Sequence, residues 1–201
     1  TIHTMDGDKF LARLDSKEGK YKYLASLIRR NKQIKLRIFE EEGFVCVCCH
    51  IDRKLIEWGN TPFKFPRGFV VDVGGSDVQF RGFLPKFGND ARDQHIVEGE
   101  YDGIVVMILT PKISGFLINI IVSKDTFRLV NKNSYGTEFT IKANEIFDEW
   151  IGTNKTKVAS LKARCIADGL TLSGEFMHVE DKMHGYVAKR NCFAVTSISS
   201  S

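Results

Sequence analysis

Residues 34–51 read IKLRIFEEEGFVCVCCHI, and the fold turns on them. From Ile34 to Phe39, apolar side chains alternate with Lys35 and Arg37, the period-two pattern of a strand with one face buried. Gly43 supplies a turn and Phe44 to Ile51 a second strand, so the segment is expected to form an antiparallel hairpin. On that second strand Cys46 and Cys48 share one face and Cys49 takes the other. This spacing suits neither a zinc knuckle, whose paired ligands sit two residues apart across a turn, nor a disulfide between strand neighbours. Cys165 and Cys192 are isolated, so the five cysteines read as buried thiols in a reducing compartment.

Upstream of the hairpin, Phe10, Leu11, Leu14, Leu24, Leu27 and Ile28 recur at helical spacing between Asp8 and Asn31, with Gly19 dividing the helix in two. Downstream, a strand from Gly68 to Val73 turns at Gly74-Gly75 into Val78–Arg81. Tyr101–Leu109 and Gly115–Val122 are expected to form a second hairpin, and Phe127–Asn131 a short strand. Helices return with Phe139, Ala143, Ile146, Phe147 and Trp150 on one stripe, then Val158, Leu161 and Cys165 after Gly152. Two strands, Leu170–Val179 and Tyr186–Ile198, close the chain. Hairpin-joined strands with helices grouped in two places imply an α+β fold on antiparallel sheet, and the missing strand–helix alternation argues against a doubly wound nucleotide fold.

The 201 residues are 43% hydrophobic and 27% charged, with 15 Phe, 5 Tyr and 2 Trp, enough apolar material for one packed domain over residues 1–201 and too much for a disordered chain. No apolar run approaches the ~18 residues of a membrane span. No basic start leads into an apolar block, so an intracellular chain, cytoplasmic or nuclear, is expected. A net charge of +4 permits a polyanionic partner without demanding one. There is no G-x-x-x-x-G-K-[ST] loop, no G-x-S-x-G elbow and no H-E-x-x-H pair, and the five histidines are too scattered to propose a metal site. The basic stretch Arg29, Arg30, Lys32, Lys35 and Arg37 is the best candidate for a surface that meets a phosphate backbone.

Several blocks, in order, carry a resemblance. The hairpin is followed by Phe65-Pro66-Arg67-Gly68-Phe69-Val70, then Phe83-Leu84-Pro85-Lys86-Phe87-Gly88-Asn89, then Glu100-Tyr101-Asp102-Gly103. Asn131-Lys132-Asn133-Ser134-Tyr135-Gly136 comes next, then a helix bearing Trp150, and finally Gly174-Glu175-Phe176. The series resembles the adenylyltransferase domain of ATP-dependent RNA ligases, of the phage type and of the fungal tRNA ligase type. The blocks match in turn an R-G-hydrophobic strand, a P-K-F-F-N segment, the nucleotidyl motif K-x-D-G, an S-K-x-S-x-G element and the strand that supplies an acidic ribose ligand. In that family a lysine attacks the α-phosphate of ATP to give a lysyl-AMP phosphoramidate.

The resemblance implies an antiparallel-sheet nucleotidyltransferase core with flanking helices, ATP and Mg2+ as cofactors, and RNA as partner. It implies that Lys86, Asp102, Gly103, Lys132, Ser134 and Glu175 surround the nucleotide, with the two lysines on phosphates and Glu175 on the ribose hydroxyls. His184 and Tyr186 echo a His and a Tyr that follow the acidic residue in tRNA ligases, and His184 joins the RNA-binding set. Plain structural alternatives stand beside these roles: surface lysines, a polar turn at Lys132 and Ser134, and a solvent-facing Glu175.

The chain departs from the family at the nucleophile, where Glu100 replaces the lysine. A carboxylate forms no phosphoramidate, and its charge opposes an incoming triphosphate. Lys86 and Lys112 lie nearby in sequence, but neither precedes the Asp-Gly pair. Toward the end, His184 and Val195 or Thr196 stand where the family places a metal-associated Glu and phosphate-binding lysines, so the closing motifs are expected to be lacking. The expected function is an RNA-ligase-like domain that binds nucleotide and RNA ends and is impaired in self-adenylylation. The alternatives are an ATP-dependent RNA ligase of RNA end joining or repair, in truncated or inactivated form, and an interaction module that keeps only the fold.

Overall fold

A computed structural model describes residues 1–30, 34–51, 68–82, 103, 111–132, 134–181 and 188–200. Its elements run β1 (His3–Met5), α1 (Gly7–Asp15), α2 (Lys20–Arg30), β2 (Ile34–Glu41), β3 (Phe44–Ile51), β4 (Gly68–Asp72) and β5 (Gln79–Gly82). They continue with β6 (Phe116–Ser123), β7 (Thr126–Val130), α3 (Glu138–Thr153), α4 (Lys155–Ala167), β8 (Leu170–Met177) and β9 (Cys192–Ser200). Every pairing is antiparallel, in two sheets ordered β1-β2-β3-β4-β5 and β7-β6-β8-β9. The α+β class read from the sequence is the observed one.

The residue 34–51 hairpin forms in register from Ile34↔Ile51 to Glu41↔Phe44. Glu42 and Gly43 close it with φ of 47° and 78°, a two-residue turn in the left-handed region whose twist matches that of the strands. The helical stretch divides at Gly19, and the Asp6 carboxylate caps α1 by accepting from the Asp8 and Lys9 amides. β1 was not anticipated, since three residues are too few to show a period.

β6 has β7 along one edge and β8 along the other, and the expected partner strand Tyr101–Leu109 lies outside the described residues except for Gly103. Lys124 and Asp125, with φ of 49° and 59°, make a two-residue turn that returns Thr126 directly onto Ser123. The last strand starts at Cys192 rather than Tyr186, and β8 ends at Met177 rather than Val179. Between them the Asn191 side chain accepts from the Val179 amide, which satisfies that N–H outside the ladder.

The layers follow from strand alternation. Ile38, Val45, Val47 and Val71 on one face of the first sheet pack against Phe10, Leu14, Leu24, Ala25 and Ile28 of α1 and α2. Ile118, Ile120, Leu129 and Leu172 on one face of the second pack against Ala143, Val158 and Cys165 of α3 and α4. The remaining two faces meet through Phe44, Cys46, Cys48, Val70, Ile121, Val130 and Tyr135. The result is four layers: helices, sheet, sheet, helices. Phe139 and Trp150, at the ends of the expected α3 stripe, remain 40% exposed each. Cys46, Cys48 and Cys165 are buried free thiols, and Cys192 is half-buried. Among the described residues no helix is long and apolar enough to cross a membrane.

Candidate functional site

The helix-covered faces are apolar, and the facing pair mixes its apolar cluster with polar and charged side chains. By alternation the inner face of the first sheet carries Lys35, Arg37, Glu41, Asp72 and Arg81, and that of the second carries Asn119, Ser123, Arg128, Ser173 and Glu175. Contacts set the alignment of the two sheets. Arg128 Nη1 donates to the Glu41 carboxylate at 2.8 Å, and Cys48 Sγ lies 3.9 Å from the Asn131 carbonyl, so β7 lies over β2 and β3. Arg81 Nη1 donates to the Gly169 carbonyl, which brings the start of β8 over β5.

The segment Asn131–Tyr135 is pinned at three points. Asn131 N donates to the Ser134 carbonyl at 3.0 Å, closing the turn. Asn131 Nδ2 donates to the Leu117 carbonyl at 3.0 Å, seating that turn on the first residues of β6. Tyr135 is 5% exposed, edge-on to Phe44 with ring centroids 5.4 Å apart, and its hydroxyl donates to the Glu41 carboxylate while accepting from Arg128 at 3.3 Å. Burial, and then the hydrogen bond to Glu41, push the Tyr135 phenol above its ordinary value, so it remains a donor at neutral pH.

Leu117 is also the register partner of Glu175 on β8. Lys132 lies in the turn that Asn131 and Ser134 close, and the Asn131 side chain ties that turn to Leu117, the register partner of Glu175. The β8–β9 register slips between Ser173 and Gly174, immediately before Glu175, and such a bulge re-aims the side chain beside it. One row deeper, Asn119 is fully buried; Ser173 Oγ donates to its Oδ1 at 2.6 Å, and its Nδ2 has no hydrogen-bond partner. A buried donor left unmade costs about 1–3 kcal/mol.

Of the residues singled out by sequence, Lys132, Ser134 and Glu175 come together at this end of β6, each partly buried. Gly103 has φ of 143°, a backbone conformation that glycine alone adopts readily. Lys32, Lys86, Glu100, Asp102 and His184 lie outside the described residues. The basic stretch splits. Arg29 and Arg30 end α2, on the outer side of the first sheet, and Arg29 grips Asp15 through two bonds of 2.7 and 2.5 Å, which hold that carboxyl below its usual range. Lys35 and Arg37 are exposed on the inner face of β2, where Arg37 is the register partner of Cys48.

Sequence reading missed Asn119, Arg128 and Glu41. The signal for Asn119 was present, as a polar residue inside the otherwise apolar run FLINIIV. Among the described residues no group of three or more His, Cys, Asp or Glu could hold a metal ion. Comparison of the chain with family models, with curated proteins and with solved structures returns no match.

Proposed function

We propose that the chain is an RNA-ligase-like nucleotidyltransferase domain that binds nucleotide and RNA ends, and that Glu100 leaves it impaired in self-adenylylation. The observation that carries this reading is the convergence of Lys132, Ser134 and Glu175 on one end of β6. They come from two segments some forty residues apart, with Lys132 expected on phosphate and Glu175 on the ribose. A cation and a carboxylate gathered there suit a ligand with phosphates at one end and hydroxyls at the other.

In this reading Lys132 pairs with phosphate oxygens and Glu175 accepts from the ribose hydroxyls. The missing step is formation of the N–P bond with release of pyrophosphate, which needs a neutral amine where Glu100 stands. Incubation with α-labelled ATP and Mg2+ is expected to leave the chain unlabelled. A stable label on a lysine overturns the impairment. Label acquired by Glu100→Lys alone identifies an inactivated ligase. RNA binding is expected to weaken linearly in log affinity against log salt; no RNA binding at low ionic strength counts against the RNA half of the reading.

A further inference from the structure

At the end of β6 opposite Leu117 lies a cavity of about 340 Å³, within the size range of small-ligand pockets. Its walls are the turn between β4 and β5, β5 itself, the turn between β6 and β7, and the last turn of α4. Three of the lining side chains are polar groups that folding rarely buries: Arg81, Asp72 and Ser123, at 3%, 3% and 4% exposed. Two hydrogen bonds of the Arg81 guanidinium run to the Gly169 carbonyl and to Gln79 Oε1, both uncharged oxygens. Asp72 Oδ1 accepts from the Gly74 amide at 2.9 Å. The Ser123 hydroxyl, on the last residue of β6, meets no hydrogen-bond partner among the described residues. A buried hydroxyl left so is destabilising, and packing gives no reason for it.

Charge and lining select the occupant. Asp77 and Asp125 at the rim are held by Lys20 at 2.8 Å and by Lys162 at 3.6 Å. Lys124, also at the rim, donates to the Gly43 carbonyl at 3.0 Å. Four cations, Arg81, Lys124, Lys20 and Lys162, therefore stand against three carboxylates, Asp72, Asp77 and Asp125, an excess of one positive charge. Burial pushes the Arg81 guanidinium below its ordinary value and Asp72 offsets only part of this, so an anion beside it is favoured. Burial pushes the Cys165 thiol up, so it stays neutral and adds no charge of its own. With Val122 and Ile166 it makes the apolar part of the wall. One guanidinium, one hydroxyl donor and an apolar wall match a carboxylate on a short hydrocarbon chain. A phosphate dianion would leave its second charge unanswered beside Asp72.

We propose that this cavity binds a small monocarboxylic acid, its carboxylate held by Arg81 and Ser123 and its hydrocarbon part set against Val122, Cys165 and Ile166. The site lies at the far end of β6 from Lys132 and Glu175, so it stands or falls apart from the nucleotide reading. The test is NMR titration of the full chain with butyrate, with butyramide, which keeps the shape and drops the charge, and with inorganic phosphate. Butyrate is expected to bind about tenfold or more tightly than butyramide, and more tightly than phosphate, with shifts confined to residues 72–81, 122–125 and 164–166. Ser123→Ala separates a ligand contact from a structural one. Removing a buried hydroxyl without a partner is expected to leave the melting temperature unchanged or higher, while butyrate affinity falls about fivefold or more. Arg81→Lys, which keeps the charge and loses the planar fork, is expected to weaken butyrate by a similar factor. Equal affinity for butyrate and butyramide overturns the inference, as does tighter binding of phosphate. So does unchanged butyrate affinity in Ser123→Ala, a shift pattern outside these segments, or no binding of butyrate at all.

Discussion

Tyr135→Ala is expected to lower the unfolding free energy by about 3–5 kcal/mol, the usual cost of truncating a buried aromatic side chain. The ring is 5% exposed and stands edge-on to both Phe39 and Phe44, with centroids 6.5 and 5.4 Å away. It is part of the apolar contact between the two sheets, so its loss opens a cavity between layers that little else fills. Tyr135→Phe keeps the ring and removes only the hydroxyl, and about 1.5–3 kcal/mol is expected from the lost bond to the Glu41 carboxylate. Chemical denaturation of the two variants separates these contributions. An alanine variant within about 1 kcal/mol of wild type contradicts the described seat of Tyr135.

The second large effect is on binding. Lys132→Ala and Glu175→Gln are each expected to weaken ATP about tenfold, since a hydrogen bond to a charged group contributes about 1.5–3 kcal/mol and 1.4 kcal/mol is a factor of ten. The double variant is expected to lose about a hundredfold, the product of two independent losses. Glutamine retains the shape of Glu175 in its half-buried strand position, so the fold is expected to survive. Titration of both single variants and the double variant checks this; unchanged affinity assigns the two side chains to the surface and not to a site.

Much of the fold was legible because it is local. The alternation in residues 34–41, the Glu42-Gly43 turn and the break at Gly19 are decided by neighbours in the chain. The partners of β6 were not, since pairing with β8 joins residues some fifty positions apart and nothing in either strand names the other. The basic stretch shows the same limit. Alternation placed Lys35 and Arg37 on one face of their strand, but only the packing of α1 and α2 against Ile38 and Val45 decides which face looks inward. Arg29 and Arg30, adjacent in sequence, therefore end up on the opposite side. Glu175 was recognised by its block, whereas its place beside the Asn131–Ser134 turn depends on the β6–β8 ladder and the Asn131 side-chain bond to Leu117 together. The Arg128–Glu41–Tyr135 network was illegible for the same reason: its members come from β7, β2 and the turn before α3.

The central claim is that a nucleotide lies at the Leu117 end of β6. Amide hydrogen exchange with and without saturating ATP tests it most directly. Added protection is expected at residues 116–118, 131–135 and 173–176, with α1 and α2 unchanged. Protection confined to the helices, or to the outer face of α3 and α4, contradicts the account.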